Sequence, residues 1–129
     1  VSTQKKVKLM MQNYNYCNPI LCETLGTVRD PQILRLDDMY YMTGTVPPYW
    51  EGDNPGVKLW SSRDLLNWKD EGFLIRREEI PADAWYRDRF WAPEIHAAAG
   101  GFFLTFNCRN DSTGFLHSCG IARSSRITG

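Results

Sequence analysis

The chain has 129 residues, 43% of them apolar and 13% aromatic, which suffices for one folded domain with a core and excludes a disordered segment. Fifteen basic and fifteen acidic residues cancel to a formal net charge of zero, so there is no basic excess to draw nucleic acid or an anionic membrane. No apolar run approaches the ~20 residues that cross a bilayer, and the expected partner is neutral or small.

The start, Val1 to Lys8, is polar and has no apolar signal core after its lysines, so the chain is expected either to be cytoplasmic or to have lost an export signal. Cys17 and Cys22 form one close pair and Cys108 and Cys119 another, neither with the Cys-x-x-Cys spacing of a zinc site. With no dense Asp/Asn/Glu cluster of the kind calcium prefers, no metal and no cofactor are expected. Cys108 precedes the turn-rich stretch Arg109 to Gly114, and Cys119 lies in the apolar run beyond it. That leaves two readings, a disulfide across a hairpin or buried free thiols.

In chain order, Arg29-Asp30-Pro31-Gln32 opens the first apolar strand. Gln32 to Leu36 and Met39 to Thr45 read as a hairpin closed by the turn-forming pair Asp37-Asp38. Pro47 to Pro55 reads as a long stiff loop carrying Trp50. Val57 to Ser61 is a third strand and Gly72 to Ile75 a fourth, with Asp64 and Asn67 as turn formers and Trp68 as an apolar plug between them. The mixed charges Arg76 to Glu79 read as a solvated loop, and a single helical turn is expected near Pro81 to Trp85.

The same grammar then returns. Trp91-Ala92-Pro93-Glu94 opens a second hairpin, Ile95 to Ala98 and Phe102 to Asn107, with Gly100-Gly101 expected to supply its positive φ angles, and Gly120 to Arg123 is the last strand. In both tetrads a proline stiffens the backbone beside a carboxylate, and two positioned acids point to acid/base chemistry. Trp60, Trp85, Phe102, Phe103 and Phe106 are read as packing residues.

Short strands with recurring turns and two corresponding hairpins indicate an all-β chain built of four-stranded blades. At roughly 45 residues per blade, residues 1–129 hold about two blades and part of a third. A propeller ring needs at least about four, so the chain is expected to be the N-terminal piece of an incomplete ring. A small β-sandwich is the competing architecture.

Five segments together resemble glycoside hydrolase family 43: Asn18 to Leu21, Arg29-Asp30-Pro31, Tyr40 to Thr45, Ser61 to Trp68 and Phe90 to His96, in that order from about Asn18 to Gly129. The resemblance implies the N-terminal blades of a five-bladed β-propeller that hydrolyses α-L-arabinofuranosides, β-D-xylosides or related glycans with inversion, and with it a secreted or periplasmic location. It implies Asp30 as the general base and Glu94 as the acid that orients the proton donor and holds its pKa up. Many members have Asp where this chain has Glu94. The donor itself would come from a later blade, so the chain alone is expected to be a poor catalyst.

Inversion requires base and acid on opposite faces of the sugar, roughly 6.5–9.5 Å apart, which strands of separate blades can provide. A neighbouring anion keeps the donor protonated. Sugars also stack on aromatic faces, which makes Trp91 and Trp50 candidate subsite residues. His96, two residues beyond Glu94 on one strand face, is a candidate hydrogen-bond donor. Arg29 either pairs with a carboxylate and keeps Asp30 ionised or is a solvated strand-end charge. Uncovered strand edges and apolar blade faces predict self-association or a complementing chain. The rival functions are a non-catalytic glycan-binding or assembly module and a fructan-cleaving propeller; no Asn-Asp-Pro-Asn motif precedes Arg29, which counts against the latter.

Overall fold

The computed structural model describes residues 28–129, so the segment Asn18 to Leu21 and the pair Cys17 and Cys22 lie outside the described residues. Seven strands follow one another: β1 (Arg29–Leu36), β2 (Met39–Thr45), β3 (Gly56–Ser62), β4 (Lys69–Arg76), β5 (Arg89–Ala98), β6 (Gly101–Asn110) and β7 (Phe115–Ser124). They make a four-stranded sheet in the order β1-β2-β3-β4 and a three-stranded sheet in the order β5-β6-β7, every neighbouring pair antiparallel. Each sheet is a simple meander, as short connections between consecutive strands dictate. No helix among the described residues is long and apolar enough to cross a membrane.

Alternation along the strands sends side chains to both faces of the first sheet. Leu59 and Val57 of β3 face the second sheet and join Phe90, Ile95, Leu104, Phe106 and Cys108 in the core between the sheets. Trp60 turns to the other side, where it packs with Met42, Val46 and Trp68. Each such side chain, once fully buried, contributes about 1.5–3 kcal/mol. Trp85 is not a packing residue of this kind; it is 37% exposed and meets Tyr86 edge to face.

The turn before Trp68 is built as its residue types require. The Asp64 carboxylate accepts the backbone N–H groups of Leu66 and Asn67 and the Asn67 side-chain amide. Those bonds, led by the Asn67 N–H, hold its pKa below the usual carboxylate range. The Trp68 indole N–H then donates to the Leu65 carbonyl, 3.0 Å away.

Three local expectations are corrected. β4 begins at Lys69 instead of Gly72, because as the outermost strand it can carry Lys69, Asp70 and Glu71 on an edge where charges pair, Asp70 with Lys58 of the neighbouring strand and Lys69 with Glu71 along β4 itself. The β5–β6 turn is Ala99-Gly100, with Gly100 at φ 81°, while Gly101 is already the first residue of β6. A Cβ at Gly101 would lie 2.5 Å from the Ser124 carbonyl, so that glycine serves close strand approach. Arg77, within the charge cluster, is not simply solvated: it bridges Asp53 at 3.0 Å and Asp88 at 3.2 Å and ties the loop before β3 to the segment before β5.

The cysteine expectation resolves to free thiols for the described pair. β6 and β7 do form a hairpin, but Cys108 lies opposite Ser118 and Cys119 opposite Asn107, so a one-residue offset puts the two sulfurs on opposite faces. Cys108 is fully buried and Cys119 exposed. Burial, with a smaller contribution from Cys119, pushes the Cys108 thiol up from 9.0 to about 11. Iodoacetamide at pH 8 is therefore expected to alkylate Cys119 in the native protein and Cys108 only after unfolding, as read by peptide mass spectrometry. Because the folded thiol ionises later than the unfolded one, its contribution to stability is intact below about pH 9 and declines as pH rises toward 11.

Candidate active site

Two prolines set the geometry. Pro31 and Pro93 lack the N–H that a strand ladder needs, and at both the pairing register slips, between Arg29 and Gln32 in β1 and between Trp91 and Glu94 in β5. The residue ahead of each proline takes a left-handed conformation, Asp30 at φ 52° and Ala92 at φ 44°. Left-handed non-glycine residues cost about 1–3 kcal/mol and concentrate at functional sites. Asp tolerates the conformation better than Ala does, because its short side chain can bond locally.

The two bulges are stitched together by Thr45. Its hydroxyl donates to the Asp30 carboxylate at 2.9 Å and accepts the Ala92 N–H at 2.8 Å. Thr45 is 2% exposed, whereas Asp30 is exposed, so a buried hydroxyl aims an accessible carboxylate. Sequence reasoning missed Thr45, which carries no local signal: its two partners are 15 and 47 residues away.

Aromatic side chains gather around Trp91, the residue before Ala92, in a groove whose lining does not include Asp30. Trp91 lies between Trp50, 5.9 Å away, and His117, 6.3 Å away, and the three line a groove of about 410 Å³ together with Asn107 and Cys119. The loop bearing Trp50 is held from three sides. Buried Asn54 donates to the Val46 and Pro48 carbonyls and accepts the Gly56 N–H, the Trp91 indole donates to the Tyr49 carbonyl at 2.9 Å, and Arg89 donates to the Gly52 carbonyl. Trp50 itself stays 63% exposed, as a stacking platform must. His117 is a further wall residue that the sequence reading overlooked, since no motif marks it.

Arg29 is an exposed charge at the first position of β1. Its guanidinium lies over the Tyr49 ring at 4.9 Å and the Trp50 ring at 5.7 Å, and among the described residues no carboxylate is within ion-pair distance of it. It braces the aromatic loop from the residue next to Asp30. Among the described residues there is no group of three or more His, Cys, Asp or Glu arranged to hold a metal ion.

Glu94 and His96 do share a face, with 3.4 Å between the carboxylate and the ring nitrogen, and both side chains are about half exposed. Neither lines the aromatic groove. The bulges also show that the two acids are not equivalent. Pro31 corresponds to Pro93, so Asp30 corresponds to Ala92, and Glu94 stands where the first hairpin has Gln32.

Two antiparallel meanders packed face to face form a partial β-propeller. Residues 16–129 match the sequence model of Glycosyl hydrolases family 43, and the chain belongs to that family. A Vibrio sp. xylan 1,3-beta-xylosidase is 31% identical over 106 residues, covering 79% of this chain and 17% of its own length. The extracellular exo-alpha-(1->5)-L-arabinofuranosidase of Cellvibrio japonicus is 27% identical over 97 residues, covering 68% of this chain and 26% of its own. Among solved structures, the family-43 BlXynB protein of Bacillus licheniformis is 29% identical with a TM-score of 0.66, over 88% of this chain and 22% of that one. The chain thus spans about a sixth to a quarter of the curated relatives it matches.

Proposed function

We propose that this chain forms the first blades of an inverting glycosidase acting on α-L-arabinofuranosidic or β-D-xylosidic linkages, with Asp30 as the general base. The observation that carries the reading is the Thr45 bridge, which holds an exposed carboxylate in a left-handed bulge and ties it to Ala92, the residue after Trp91. Asp30 would take a proton from water as that water attacks the anomeric carbon, while a carboxylic acid of a later blade protonates the departing oxygen. Trp91 and Trp50 would stack on sugar faces, with Arg29 bracing Trp50 and His96 reaching a hydroxyl from the neighbouring strand face. On this reading the segment supplies a base and a subsite wall and no proton donor, and hydrolysis belongs to the completed ring.

The linkage classes are those named for the xylosidase and arabinofuranosidase relatives. Placement outside the cytoplasm follows the arabinofuranosidase, which is described as extracellular. The sheet face that the described residues leave uncovered would meet further blades or a complementing chain. The resemblance also implies a second acid at Glu94. Its place at the position of Gln32 favours another role, argued below.

Proton NMR of the first product formed by the complete protein from an aryl xyloside or arabinofuranoside tests the mechanism. The expected product has the anomeric configuration opposite to the substrate's. A retained configuration would overturn it, and no turnover of any glycan would favour a non-catalytic binding module.

A further inference from the structure

The first sheet grips the second through polar side chains that bond backbone groups of β5. Thr45 accepts the Ala92 N–H at 2.8 Å, Thr43 donates to the Pro93 carbonyl at 2.8 Å, and the Gln32 amide accepts the Ile95 N–H at 3.0 Å while donating to the Ile95 carbonyl at 3.2 Å. These contacts climb one short stretch of β5, just where its bulge turns peptide groups out of the ladder.

The second hairpin repeats the gripping set. Gln32 is opposite Thr43 and Arg29 opposite Thr45; likewise Glu94 is opposite Thr105 and Trp91 opposite Asn107. With the bulges aligned, Gln32, Thr43 and Thr45 correspond to Glu94, Thr105 and Asn107. Their states differ, however. Thr43 is fully buried, yet the Thr105 hydroxyl has no hydrogen-bond partner among the described residues. Among the described residues, the polar partner of Glu94 is His96. An apolar neighbour on the same row points the same way: Ile121, opposite Thr105, is 74% exposed. In the first sheet, Leu59 stands one position beyond the Met42–Trp60 pair, and it is 1% exposed beneath β5 and β6.

We propose that Glu94 and Thr105 are a clamp for the inner strand of the next blade, taking from it the backbone groups that Ile95 and Pro93 offer to Gln32 and Thr43 of the first sheet. The occupant is a β5-like strand of the same protein, bulged at a proline; this rests on the family reading, in which relatives run several times longer than this chain. Glu94 is a positioning residue in this arrangement. A carboxylate accepts an N–H as Gln32 does, but it has no N–H to give to the carbonyl beside it. Gln at position 94 would complete the pair of bonds.

The test uses the complete protein, with thermal midpoint and the pH profile of kcat as separate readouts. Glu94→Gln is expected to raise the midpoint by roughly 2 °C, and Glu94→Ala and Thr105→Val each to lower it by about as much or more. The alkaline limb of the pH profile is expected to stay in place in Glu94→Gln. Midpoints of Glu94→Ala and Thr105→Val equal to that of the parent would overturn the clamp. So would a Glu94→Gln variant with an unmoved midpoint and an alkaline limb displaced to lower pH, which is the signature of an acid that holds the donor's pKa up. Were Asp30 to prove dispensable while these midpoints shift as stated, the functional reading would fall and the clamp would stand.

Discussion

Asp30→Asn in the complete enzyme is expected to lower kcat about 10³-fold with little change in KM, because it removes the group that takes the proton from the attacking water and leaves the sugar contacts alone. The substitution isolates charge unusually well at this site. Asp30 sits at φ 52°, a conformation that Asn adopts as readily as Asp, so the bulge before Pro31 should persist. The Thr45 hydroxyl, 2.9 Å from the carboxylate, can donate equally to an amide oxygen. Stability should therefore change by less than about 0.5 kcal/mol, as for an exposed substitution. Azide, a nucleophile that needs no deprotonation, should restore cleavage of an aryl glycoside by the variant. A variant within tenfold of the parent, with no response to azide, would remove Asp30 from the reaction.

Thr45→Val is expected to cost about 2–4 kcal/mol of stability, although the two side chains have nearly the same shape. Thr45 is 2% exposed and its hydroxyl serves two partners, so its loss leaves the part-buried Ala92 N–H without its acceptor and the Asp30 carboxylate without its donor. An orphaned N–H costs about 1–3 kcal/mol, and a bond to a charged group is worth a similar amount. The change should appear in urea unfolding as a lower midpoint with an unchanged slope. A fall in kcat of about tenfold should accompany it, because Asp30 would no longer be held in place. Thr45→Ser keeps the hydroxyl and should recover both properties. A Thr45→Val protein with the parent's midpoint would show that the bridge carries nothing.

Much of the local structure was legible from residue types. The Asp37-Asp38 turn, the alternation along Met39 to Thr45, the Asp64/Asn67 turn and the plug at Trp68 all depend on interactions within a few residues, where propensity and side-chain bonding decide. Motif order along the chain likewise carried the family and the β-propeller architecture. Strand limits were less legible where charges were concerned. Lys69 to Glu71 look unlike a strand until β4 is known to be the outer one.

Register was the first thing that composition did not contain. Cys108 and Cys119 stand across one hairpin, as their spacing indicates, but a single-residue offset sends them to opposite faces. The same kind of count separates Asp30 from Glu94: both acids flank a proline, yet one precedes it and the other follows, which puts Glu94 at the place of Gln32.

Strand grammar, turns and the place of Asp30 on a proline-stiffened strand entrance are settled by neighbours a few bonds away, and residue types alone therefore fix them. The groups around that carboxylate come instead from distant parts of the chain. Thr45 reaches Ala92 across 47 residues, Trp91 meets the loop carbonyl of Tyr49 across 42, and Gln32 grips Ile95 across 63. Such contacts arise when two sheets bury a shared apolar face and bring bulges from distant segments side by side. Their partners are chosen by that docking, which no local pattern encodes.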